Sequence, residues 1–64
     1  MTQPTPKIIR LPEVRRVSGL STTSIYRLMS QDKFPRQRLI SVGAVGWLAA
    51  EVFEWVSTRP KVQT

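Results

Sequence analysis

Apolar residues fall along the chain in short blocks whose spacing changes from one block to the next. Ile8 and Ile9, followed by Arg10, read as a short strand. Leu11, Val14 and Val17 recur at every third position, the spacing of one buried face of a short helix. Pro12 and Glu13 suit the first turn of that helix, so its start is expected at Pro12, behind Leu11, which makes a poor N-cap. Arg15 and Arg16 fall off the apolar face. Gly19 is placed to end the helix, Leu20 to turn inward and Ser21 to cap a second helix running from Thr22 to about Gln31. In that second helix Ile25, Leu28 and Met29 form the inward face, and Thr22, Thr23, Tyr26, Arg27 and Ser30 face out. Two helices joined by a short turn containing glycine are the sequence sign of a helix-turn-helix.

Pro35 stops any helical continuation. From Arg36 to Trp47, apolar and β-branched residues stand on both sides of a glycine-containing turn near Val42 and Gly43, which predicts a β-hairpin. Leu48, Val52, Trp55 and Val56 then form a helical stripe, and Ala49 to about Thr58 reads as a last helix stopped by Pro60. Residues 1–7 and 59–64 have no apolar anchor and read as tails, leaving 8–58 as one folded domain. The expected order is strand, helix, turn, helix, hairpin, helix, which is mainly α with a small β-hairpin.

Charge sharpens this picture. The 64 residues hold ten Lys and Arg against four Asp and Glu, a net charge of +6. Up to Trp47 there are eight cations and two acids; beyond it there are two of each. Seven of the ten cations are Arg, whose planar fork suits phosphates and guanine edges. Such concentration points to nucleic acid, ahead of a lipid surface or an acidic protein. The chain has no His and no Cys. That excludes disulfides, the usual zinc sites and nucleophiles activated by His, and it points away from an enzyme. Neither a membrane-spanning run nor a signal peptide is visible, so a cytoplasmic location is expected, with no cofactor, metal or small-molecule substrate.

The segment IRLPEVRRVSGLSTTSIYRLMSQDKFP, followed by AVGW and EVFEW, resembles the AlpA family of phage and prophage regulators. The resemblance rests on the combination and order of R-L-P-E-V, G-L-S before T-x-x-I-Y-R-L, F-P, A-V-G-W and E-V-x-x-W. That family is similar to MerR-like winged helix-turn-helix domains and to small phage excisionases. The resemblance therefore implies a winged helix-turn-helix that binds double-stranded DNA. It would regulate a mobile element, through transcription (for example of an integrase gene) or as an excisionase. It implies further that Ser21, Thr22, Thr23, Tyr26 and Arg27 form the start and outer face of the recognition helix. Arg36 and Arg38 fall in the stretch matching the wing. Leu11, Val14, Leu20, Ile25, Leu28, Phe34, Val45, Trp47, Val52 and Trp55 match core positions. Two departures stand out. Ser41-Val42-Gly43 replaces a G-P-R-like basic wing tip, and Leu48-Ala49-Ala50 replaces the usual Arg and acids.

Within such a helix, Thr22 and Thr23 suit contacts to base edges or thymine methyls, although they also suit capping. Arg27 suits a bidentate guanine contact or a phosphate clamp. Tyr26 offers a hydroxyl to phosphate or a ring to the domain surface. Arg15, Arg16, Arg36 and Arg38 suit phosphates, which position a protein without reading sequence. Phe53 lies to one side of the last helix's stripe, with Ala49 and Val56 beside it. It belongs either to a wide core face or to a homodimer or cooperative contact on DNA. An alternative use of the same fold is a protein-interaction adaptor for an acidic partner.

Overall fold

A computed structural model describes residues 7–62. Of the tails expected at 1–7 and 59–64, residues 1–6 and 63–64 fall outside the described residues, while Arg59 donates its N–H to the Val56 carbonyl at 3.3 Å. Lys7, at the inner end of the first tail, accepts the Ala49 N–H on its carbonyl at 2.7 Å.

The elements follow the expected order: β1 (Ile8–Ile9), α1 (Leu11–Ser18), α2 (Thr22–Ser30), β2 (Arg38–Ser41), β3 (Ala44–Leu48) and α3 (Ala49–Ser57). Helix α1 starts one residue earlier than expected. Arg10 is the N-cap, in extended conformation and without a side-chain cap bond, and Leu11 is already helical. The Val14 N–H reaches the Arg10 carbonyl at 3.0 Å, which brings Leu11 into line with Val14 and Val17 along the packed face. Gly19 ends the helix in the left-handed conformation, φ 75°, a region glycine enters at no steric cost. Its N–H donates to Arg15 at 2.8 Å. Ser21 then caps α2, its Oγ accepting the Ser24 N–H at 3.2 Å.

Helix α2 closes in a Schellman arrangement. Lys33 N–H reaches back to the Leu28 carbonyl at 2.8 Å and Asp32 N–H to Met29 at 3.1 Å, with Asp32 left-handed at φ 61°. The following loop is held from the core side by both tryptophans. Trp55 Nε1–H donates to the Lys33 carbonyl at 2.7 Å, and Trp47 Nε1–H to the Pro35 carbonyl at 3.0 Å. Phe34 is buried, edge-on to Trp55 with ring centroids 4.8 Å apart.

The sheet is antiparallel, in the order β1-β3-β2, with Ile9 opposite Trp47 and Leu39 opposite Val45. The ladder is irregular between Leu39 and Ser41, where Ile40 is the extra residue. Gly43 makes the expected turn at φ 74°. Gly46 answers a different need: a Cβ there would stand 2.6 Å from Ile8 Cγ2 and 2.9 Å from the Ile9 carbonyl oxygen, so glycine lets β1 approach β3.

Ile9, Val14, Ile25, Phe34, Trp47, Ala49 and Val52 form the buried core, one or two residues from every element except β2. Leu11, Val17, Leu20, Leu28, Met29 and Trp55 pack around it, partly exposed. Two expectations are corrected. Val45 is 38% exposed rather than in the core, because it pairs with Leu39 toward the free end of the hairpin. Leu48 is the last residue of β3 and only half-buried; Ala49 takes the buried place at the start of α3. The neighbour that Phe53 was expected to share at Ala49 is therefore core. Together, α1, its turn and α2 form a helix-turn-helix, and β2 and β3 form its wing.

Candidate nucleic-acid interface

The outer face of α2 is set by its capped start and by Ile25, which is fully buried on the opposite side. Thr23, Tyr26, Arg27 and Ser30 are exposed, while Thr22 is half-buried. Thr23 is therefore the more accessible of the two threonines. The Ser21 hydroxyl is engaged within the cap. It accepts from Ser24 N–H and lies 3.1 Å from Ser24 Oγ.

Tyr26 has a partner that sequence spacing did not suggest. Gln37, eleven residues on, donates Nε2–H to Tyr26 Oη at 3.1 Å. The bond joins α2 to the residue just before β2 and so couples the helix to the wing. Since Tyr26 Oη is the acceptor, its own O–H stays free to donate outward. Nothing in the local pattern around Gln37 marks it, because the pairing depends on the loop held by the two indoles.

The arginines differ in their surroundings. Arg15 and Arg16 border a shallow groove with Pro12, Gly19, Leu20 and Ser21, at the corner where α1 hands over to α2. Arg16 is paired with Glu13 one turn before it. The hydrogen bond and charge of Glu13 raise the pKa of Arg16 further above its ordinary value, so it stays cationic. Arg36 bonds Asp32 at 3.0 Å, beside the end of α2, and Arg38 bonds Glu51 of α3 at 2.9 Å. Arg15 and Arg27 have no carboxylate partner among the described residues. Exposed ion pairs contribute little, because water screens them, so a phosphate can take over the paired arginines.

The molecule divides its charge. A second cleft, between the 32–35 loop and α3, is lined by Asp32, Glu51 and Glu54, three of the four carboxylates in the chain. Arg59 closes it, its guanidinium 3.9 Å above the Trp55 ring and its Nε–H on the Trp55 carbonyl. The helix-turn-helix corner is basic, and this side is not. Phe53 stands on α3, 54% exposed, apart from the α2 face. Among the described residues no group of three or more His, Cys, Asp or Glu is placed to hold a metal ion, and no helix is long and apolar enough to cross a membrane.

Comparison with known proteins agrees with this architecture. The family model described as prophage CP4-57 regulatory protein (AlpA) matches residues 7–60. The chain is 36% identical over 62 residues to the DNA-binding transcriptional activator AlpA of Escherichia coli, covering 88% of this chain and 89% of that protein. It is 38% identical over 53 residues to the uncharacterized protein ORF88 of Enterobacteria phage P4, covering 83% of this chain and 60% of that protein. No solved structure matches significantly. With the helix-turn-helix, the wing and a family match running from the residue before β1 to beyond α3, the chain belongs to the AlpA family of prophage regulatory proteins.

Proposed function

We propose that this chain is a sequence-specific regulator of a phage, prophage or other mobile element that binds double-stranded DNA through α2. It acts on transcription or as an excisionase. The observation that carries the reading is the outer face of α2, where Thr23, Tyr26 and Arg27, which has no carboxylate partner among the described residues, stand exposed on a helix capped by Ser21. A helix so presented enters the major groove with its N-terminal residues first. Thr23, with Thr22 behind it, meets base edges; Arg27 makes the guanine contact. Tyr26 donates to a phosphate, and Ser21 fixes the start of the helix. Arg15, Arg16 and Arg36 hold the flanking phosphates, with Arg38 joining them when it leaves Glu51. The name of the Escherichia coli relative supports an activator role. Phe53, exposed on α3, contributes an apolar contact when copies bind side by side.

Selection of duplexes from a random pool tests the reading. The chain enriches one motif, and that motif protects a stretch of the neighbouring DNA from cleavage. Recovery of all sequences alike overturns it. Protection over a promoter assigns transcription; protection at an attachment site assigns excision.

A further inference from the structure

Strand β2 lies at the edge of the sheet. It has β3 on one side, and on the other its main-chain groups have no backbone partner among the described residues. All four of its residues are exposed. Leu39 is 75% exposed and Ile40 45%, and Val42 at the turn is fully exposed. Protein sheets usually guard such an edge with charges, proline or a covering segment. Here the strand's one charge, Arg38, is engaged by Glu51, and residues 39–50 form the longest uncharged run in the chain.

We propose that β2 pairs antiparallel with β2 of a second copy, so that two three-stranded sheets become one across a twofold axis. What is unfilled is main chain, so the occupant is an extended strand. Charge then selects which strand. A chain with a net charge of +6 repels its own copies over most of its surface. The hairpin beyond Arg38, free of charge from Leu39 to Ala50, is where two copies approach with least of that cost. A twofold axis normal to the sheet through Leu39 sets Leu39 against its own copy. Arg38 then meets Ile40, and the two Arg38 side chains do not face each other. The contact is four residues long and interrupted at Ile40, far smaller than a stable dimer interface. It is weak in free protein and grows when DNA holds two copies at high effective concentration. Its use on DNA rests on the function proposed above; the contact itself does not.

The test is therefore made without DNA. At millimolar protein, sedimentation equilibrium shows the mass rising above monomer, and amide resonances shift with concentration at residues 38–42. Leu39→Glu and Leu39→Lys, at an exposed position, each keep the wild-type circular dichroism and weaken association about tenfold, because like charges then oppose each other. An equimolar mixture of the two restores it. A concentration-independent monomer overturns the proposal, as does a mixture that fails to restore association. Loss of association in Phe53→Glu but not in Leu39→Glu would move the contact to α3. On a duplex with a single binding site, neutral Leu39→Gln leaves affinity unchanged; a loss there would make Leu39 itself a DNA contact and overturn the pairing.

Discussion

Arg27 and Arg36 carry the same charge in different surroundings. Arg27 projects from the outer face of α2 with no carboxylate partner among the described residues; Arg36 is held by Asp32 beside the end of that helix. Arg27→Ala is expected to cost about 1–3 kcal/mol on the cognate site and little on random DNA, which relaxes sequence preference. Arg36→Ala should weaken both alike, since it removes a phosphate contact and leaves the Asp32 charge unopposed near the backbone. Titration of each variant on cognate and random duplexes separates the two. Equal losses for Arg27→Ala would make it a phosphate clamp. At this scale the sequence shows which side chains point out of α2, because the inward stripe of Ile25, Leu28 and Met29 fixes the helix rotation. It does not show that Gln37 meets Tyr26, a pairing across eleven residues that depends on a loop with no periodicity of its own.

Among the elements, those with local signals are legible from sequence. Gly19 and Ser21 mark the turn between α1 and α2, and Val42-Gly43 marks the hairpin. Where β3 passes straight into α3, no punctuation exists. Leu48 fits both the strand and the helical stripe, and only Ala49's place in the core decides between them. Val45 likewise alternates correctly with Trp47, but alternation cannot tell how far the core extends along a hairpin. Gly46 is the residue on which the sheet depends. Gly46→Ala forces a methyl group against Ile8 and the Ile9 carbonyl, with an expected loss of about 1–3 kcal/mol from overpacking. A lowered urea midpoint at unchanged slope is the signature. An unchanged midpoint would mean that β1 moves aside freely.

For the whole molecule, charge governs how firmly DNA is held. On the proposed reading, Arg15 and the arginines of the three surface ion pairs among the described residues offer about four phosphate contacts, which gives a log–log dependence of affinity on salt with a slope of roughly −4. Equilibrium binding across a salt series measures it, and a slope near zero would remove nucleic acid as the partner. The excess charge before Trp47 is evident from composition alone. The gathering of carboxylates around the Trp55 cleft is not, because Asp32 comes from the first half of the chain and joins Glu51 and Glu54 only through the fold, where Asp32 and Glu51 pair with Arg36 and Arg38.

The loop from α2 to the wing is fastened by two indoles, and both grip carbonyl oxygens, those of Lys33 and Pro35. Every amino acid has a carbonyl. Phe34 must stay large and apolar to fill its place, but the fastening makes no demand on the side chain at position 33, and none at 36 or 37. Substitution there leaves both indole bonds in place, although at 36 and 37 it removes the bonds to Asp32 and Tyr26. Arg36 lies beside the end of α2, and Gln37 meets the middle of the helix at Tyr26. Under the DNA-binding role proposed above, a lineage carrying this fold can therefore change what lies beside α2 while the two indoles keep the same frame.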